Sequence, residues 1–207
     1  MRSINWSEVK ASSEGDYKRV GPGAYLGRVT AMRDVPASEY VTLLYDIADG
    51  EFKGFYADGF YADKEWAHSM TLSYKDAGIG MTKGRLETIQ ACNPGFDPFA
   101  AWDAGRFDMF VGRTVGLVFR EEEYYDRKAG EFKVGPARCF RFCKREEVAG
   151  FGEVKPKMLD REGKVKALEK AGFGRYEAEE EVARLERAAA SRPTAPADRQ
   201  GDGPVPF

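Results

Sequence analysis

The sequence of 207 residues predicts a mainly β fold: an OB-like five-stranded barrel with an inserted short helix, followed by a C-terminal helix and a disordered tail. Three observations lead there. Short runs with apolar residues at alternate positions recur between turn-forming residues. A single stretch in the middle, Met81–Cys92, has helical spacing instead. Beyond Gly150 the alternation stops, and the chain becomes first charged and then proline-rich.

Residues 1–20 are polar around an isolated Trp6 and read as an N-terminal arm. Gly21-Pro22-Gly23 is a turn, after which Tyr25, Val29 and Ala31 share one parity until Asp34-Val35-Pro36 breaks the strand. Between Tyr40 and Ala48, Val41, Leu43, Tyr45 and Ile47 face one way and Thr42 and Asp46 the other. Asp49-Gly50 is a hairpin turn by composition, so Glu51–Tyr61 is expected to return as the third strand of a meander. Trp66, Met70, Leu72 and Tyr74 fall in a loop with a strand-like segment. Thr82, Leu86 and Ile89 form one face of the helix, which Asn93-Pro94-Gly95 stops. Thr114–Tyr124 and Phe132–Cys143 complete the strands, with Phe140 and Phe142 expected on one face. A small sandwich with an inserted helix fits the same pattern. In the extension, 151–190, Lys164–Lys170 makes a helical turn or two closed by Gly172. Tyr176–Ala190 makes a longer helix with Val182, Leu185 and Ala189 as its apolar stripe. Residues 191–207 are expected to stay unfolded.

The formal net charge of −2 announces no polyanion partner, but the signs separate along the chain. Asp46–Glu65 has six acids and two bases, whereas Arg127–Arg145 has seven bases and one acid. Such a basic strip can attract a phosphate backbone even on a neutral protein. Cys92, Cys139 and Cys143 are odd in number and unpaired in spacing, which reads as reduced thiols in a cytoplasm. With one histidine, His68, and no four-ligand spacing, no metal site or cofactor is expected. The N-terminus lacks the apolar core of a signal peptide, and no apolar run reaches membrane length.

Aromatic and basic residues interleave in Phe52-Lys53-Gly54-Phe55-Tyr56, Phe60-Tyr61, Trp66, Ser73-Tyr74-Lys75 and Phe140-Arg141-Phe142. Rings that stack on bases, beside cations that neutralise phosphates, bind single strands without reading sequence. β domains also build cores from Phe and Tyr, so about half of these rings are expected inside. The candidate contacts are Phe55, Tyr56, Trp66 and Tyr74 for stacking, and Lys75, Arg138 and Arg141 for phosphate. Asp46, Glu51 and Lys53 have the spacing of a PD-(D/E)xK-type nuclease, in which two carboxylates hold a metal. Their place around a hairpin tip favours a structural role, and the motif's proline is missing. Glu121-Glu122-Glu123 cannot converge on one metal, because successive strand residues alternate faces. No nucleophile elbow, phosphate-binding glycine loop or Ser/His/Asp set is present, so a binding protein is expected and an enzyme is not.

The run Pro22-Gly23-Ala24-Tyr25, then Asp34-Val35-Pro36 with Glu39-Tyr40, then Tyr45-Asp46-Ile47-Ala48-Asp49-Gly50-Glu51-Phe52-Lys53-Gly54, resembles a family of phage and prophage proteins. Ser73-Tyr74-Lys75 and Glu121-Glu122-Glu123-Tyr124 belong to the same ordered set. The resemblance covers about residues 20–145 and implies single-stranded DNA binding on an OB-like domain, in phage replication or recombination. The last residues, Val205-Pro206-Phe207 after Asp198 and Asp202, are similar in kind to the acidic tips of bacterial single-stranded DNA-binding proteins. That similarity implies recruitment of replication or recombination proteins through Pro206 and Phe207. An adaptor whose β domain binds protein is the third class, and a homo-oligomer is compatible with all three.

Deleting Pro204–Phe207 is expected to leave DNA affinity unchanged or slightly raised and to abolish capture of a replication or recombination partner in pulldowns. One residue added after Phe207 is expected to act like the deletion, because it separates the ring from the terminal carboxylate.

Overall fold

The computed structural model describes residues 18–190. Residues 1–17 and 191–207, with Pro206 and Phe207, lie outside the described residues. The described chain divides into two compact units: residues 18–123 with Val134–Met158, and Tyr124–Lys133 with residues 159–190. The units therefore do not divide at Gly150. Among the described residues no helix is long and apolar enough to cross a membrane.

The first unit is built on five antiparallel strands: β1 (Gly23–Val35), β2 (Tyr40–Ile47), β3 (Ser69–Ser73), β4 (Thr114–Arg120) and, after the β5–β6 hairpin described below, β7 (Arg138–Cys143). Their order is β3-β2-β1-β4-β7, and the outer strands β3 and β7 approach each other, so the sheet is nearly closed into a barrel. This is the mainly β, OB-like arrangement, with the helical segment between the third and fourth barrel strands. β1 makes the curl possible. Gly23–Arg28 pairs with β4, and Gly27–Val35 pairs with β2, with a bulge between Val29 and Ala31. A bulge bends the strand and sharpens its twist, so a single strand serves both halves of the sheet. Val29, Val41, Leu43, Tyr45, Leu72, Val115, Leu117 and Phe119 fill the interior.

The inserted segment holds α1 (Ile79–Cys92) and the single-turn α2 (Pro98–Asp103). α1 buries Thr82, Leu86 and Ile89, the face its spacing predicts, and adds Cys92. Asn93 both stops the helix and ties it to β4. Its Nδ2 donates to the carbonyls of Ile89 (2.7 Å) and Thr114 (2.8 Å), and its Oδ1 accepts from the Thr114 N–H (3.1 Å). Asp97 caps α2 by accepting from the N–H groups of Phe99 and Ala100, with Pro98 at the first helical position.

Three expectations are corrected. Glu51–Tyr61 is not a strand: Gly50 and Gly54 adopt left-handed φ of 78° and 74°, and successive turns close from Gly50 to Ala57. An extended strand cannot carry such glycines in series. The third strand is Ser69–Ser73, pairing Leu44 with Ser69 and Tyr40 with Ser73. Phe132–Cys143 is not one strand either. Its first part is β6 (Glu131–Val134), paired with β5 (Glu123–Asp126) in a separate hairpin, and Gly135-Pro136 separates it from β7. Finally, Phe140 does not share a face with Phe142. The β4–β7 register shifts between Val118 and Phe119, so Cys139 and Phe142 turn to the core and Phe140 becomes the bulged residue.

The second unit packs α3 (Arg161–Lys170) and α4 (Arg175–Ala190) through Val165, Leu168, Ala178 and Val182, with Tyr125, Phe132 and Phe173 against them. Asp160 caps α3 by accepting from the Gly163 N–H (2.7 Å), and Gly172 (φ 101°) ends it as expected.

Gly116 on β4 has no room for a side chain. A Cβ there would lie 2.7 Å from the Cys143 carbonyl oxygen and 3.0 Å from Val148 Cγ2. Gly116→Ala is therefore expected to destabilise by roughly 1–3 kcal/mol through overpacking. Thermal melts should show it as a drop of about 2–4 °C per kcal/mol.

Candidate nucleic-acid interface

The segment between β2 and β3 carries the site, and Asp46 shapes that segment. Although placed on the polar parity of β2, Asp46 is buried at 9% exposure. Its Oδ1 accepts from the N–H groups of Ile47 (2.7 Å) and Tyr56 (3.0 Å), which pins the far end of the turn series against the strand it left. Aromatic contacts secure the rest. Phe119 in the core meets Tyr25 at 5.5 Å between ring centroids, Tyr25 meets Phe52 at 5.7 Å, and Phe52 meets Phe55 at 5.8 Å. From there Phe55 meets Tyr61 at 5.5 Å, and Tyr61 meets Trp66 at 6.5 Å. All but the tilted Phe55–Tyr61 pair are edge-to-face, and aromatic pairs of this kind contribute roughly 0.5–1.5 kcal/mol each beyond the buried area. The chain of rings runs from the barrel interior to Trp66, which is 60% exposed.

There the rings wall an open cleft, about 480 Å³ with the adjoining solvent space included. Phe55, Tyr56, Tyr61 and Trp66 line it from the β2–β3 segment, Arg19 and Val20 from the approach to β1, and Pro136–Arg138 from the start of β7. The Arg138 guanidinium lies 5.4 Å from the centre of the Trp66 ring. Neither Arg19 nor Arg138 has an ion-pair partner among the described residues. Among the neighbouring charges Arg33 pairs with Glu65, and Lys64 pairs with Asp63 and covers the Phe60 ring at 3.8 Å.

Behind the cleft lie polar side chains, the Asp46 carboxylate among them. Tyr56 is 6% exposed, with Tyr45 at its edge (5.9 Å) and the His68 ring tilted against it at 5.2 Å. Burial raises the Tyr45 and Tyr56 hydroxyls further above their ordinary range, and it pushes the Cys139 thiol up to about 12. Burial also lowers His68, against the opposing pull of Asp46 and Glu65.

The structure thus brings together Phe55, Tyr56, Trp66 and Arg138 of the expected contacts. Tyr56 is buried, so it supports the cleft and offers no open ring face. Tyr74 and Lys75 lie elsewhere, past the far end of β3. The Tyr74 hydroxyl donates to Asp34 Oδ1 (3.1 Å), its ring meets Trp102 at 6.4 Å, and Lys75 is exposed in the turn before α1. Arg141 stands further along β7, exposed. The linear basic strip is divided as well: Arg127, Lys128 and Lys133 belong to the second unit, and only Arg138 to Arg145 to the first. Sequence reasoning missed Arg19, because its approach depends on a long-range contact. Tyr61 was visible in the Phe60-Tyr61 pair.

The nuclease-like set does not converge. The Asp46 carboxylate is engaged by two backbone N–H groups, while Glu51 and Lys53 are exposed on the turns. Among the described residues no group of three His, Cys, Asp or Glu is placed to hold a metal ion. No family model matches the chain, and a search of curated proteins finds no match.

His68 makes stability depend on pH. Its folded pKa lies below the ordinary 6.5, so between the two values the unfolded chain binds more protons than the folded one. Stability from this group is therefore present above 6.5, falls as pH drops below it, and stops falling once pH is under the folded value. Thermal midpoints measured from about pH 8 to pH 5 should fall more steeply for the natural protein than for His68→Gln.

Proposed function

We propose that this chain binds single-stranded DNA with little sequence preference, through the cleft between Trp66 and Arg138. The observation that carries the reading is an exposed indole beside an arginine that has no carboxylate partner among the described residues, in a cleft walled by Phe55 and Tyr61. A base stacks on the indole and an adjacent phosphate takes the guanidinium N–H donors. Both contacts are indifferent to base identity. The OB-like barrel supports the reading, since this architecture presents oligonucleotide-binding surfaces between its strands and loops. The resemblance of residues 20–145 to phage and prophage proteins supports a role in phage DNA replication or recombination. In the same reading the chain acts without a cofactor or a chemical step, and Pro206 and Phe207 recruit the replication or recombination partner.

Trp66→Ala is expected to weaken binding of fluorescein-labelled oligo(dT), read by anisotropy, by roughly 1–3 kcal/mol. The thermal midpoint should hardly move, because the ring is 60% exposed. Arg138→Ala should reduce the slope of log affinity against log salt by about 0.7, the value for one phosphate contact on a single strand. Unchanged affinity in both variants would overturn the cleft as the binding surface.

A further inference from the structure

Beyond the cleft, β7 carries a second cluster of rings and cations. The bulge at Phe140 places Val118 opposite Arg141 and Phe119 opposite Cys139, which leaves Phe140 unpaired in the register. Regular alternation would send Phe140 to the core with Phe142. The bulge instead releases it beside the exposed Arg141, while Phe142 and Cys143 remain buried. The Arg141 guanidinium then lies 5.7 Å from the centre of the Phe140 ring and 5.3 Å from that of Phe151. The other cation on Phe140, Arg120 at 4.0 Å, is already paired with Glu122. Arg141 has no ion-pair partner among the described residues. Two ring faces thus hold this guanidinium by cation–π attraction, which leaves its in-plane N–H fork unused. A planar fork of this kind, pre-positioned and open to solvent, matches two oxygens of a phosphate.

Because of the bulge, Arg138 and Arg141 stand opposite Arg120 and Val118, two positions apart on β4, about 7 Å at 3.3 Å per residue. At about 3.4 Å per nucleotide in a stacked strand, that distance spans roughly two nucleotides, and fewer in an extended one. The exposed Lys144 and Arg145 continue the line past the end of β7.

We infer that Arg141, held between Phe140 and Phe151, is a second phosphate-binding station, and that a single strand seated in the Trp66 cleft runs along β7 to reach it. This rests on the reading of the cleft as a single-stranded DNA site and gives that site its direction and length. The strand leaves the cleft at Arg138 and travels toward Cys143. Affinity therefore rises with strand length until Arg141 is reached and levels off beyond Arg145.

The test is an anisotropy titration of oligo(dT) from two to sixteen nucleotides against the natural protein, Trp66→Ala, Arg141→Ala, Arg141→Lys and Phe151→Ala, with circular dichroism to confirm folding. Arg141→Ala should bind the shortest strands like the natural protein and the longest about tenfold more weakly, the scale of one charge-assisted contact. Its salt slope should fall by about 0.7 on long strands only. Arg141→Lys should recover part of the loss, since it keeps the charge without the fork. If Phe151→Ala does not fold, the two Arg141 variants decide alone. The inference is overturned if Arg141→Ala equals the natural protein at every length, or weakens every length by the same factor, while Trp66→Ala still weakens binding. If the natural protein binds no length, the cleft reading falls and this inference with it.

Discussion

β1 is hydrogen-bonded along both edges, and the first unit follows from how one strand manages that. Its first residues pair with β4 and its later ones with β2, so the sheet has to turn where the two partners change over. The bulge at Val29/Ala31 supplies the turn, and Gly27 supplies the clearance: a Cβ there would run into the Leu117 side chain. Once the sheet curls, its outer strands β3 and β7 come near each other, although they are the third and last strands of the barrel in sequence. That approach sets the start of β7, with Arg138, beside the segment that leads into β3, with Trp66. The cleft is therefore a product of barrel curvature.

The β2–β3 segment shows a short polar anchor organising a long apolar one. Residues 48–68 contain no strand, yet they hold a defined course, because one buried carboxylate satisfies two backbone N–H groups and a series of rings does the rest. A buried carboxylate without such donors would be strongly unfavourable, so Asp46 and the turn it closes are mutually required. Its acidity, which in sequence looks available for metal chemistry, is consumed by architecture.

Electrostatics follow the same local logic. The chain is slightly acidic as a whole, with a pI near 5.7, and five ion pairs among the described residues of the first unit each join an acid to a base. Arg19, Arg138 and Arg141 stand apart from these pairs, two at the cleft and one further along β7. A nearly neutral protein can in this way present a locally positive track.

Much of this was written in local periodicity. The Thr82–Leu86–Ile89 face of α1, the stop at Asn93, the alternation in β2 and β4, the end of α3 at Gly172 and the buried Val182 of α4 all depend on residues within a turn or two of one another. Backbone geometry enforces those spacings whatever the rest of the chain does. Trp66, Phe55 and Arg138 were legible as candidates by residue type alone. Tertiary structure decided which of them meet. It moved the third strand from Glu51–Tyr61 to Ser69–Ser73, because glycines with left-handed φ close turns where composition alone allowed a hairpin. It buried Tyr56 and Asp46, brought in Arg19, and left Tyr74 and Lys75 at the other end of β3. It also turned Phe140 outward through a register shift whose origin lies in the pairing of β4 with β7. Strand register and barrel closure join residues up to a hundred positions apart, and a period of two or 3.6 residues does not encode such a pairing.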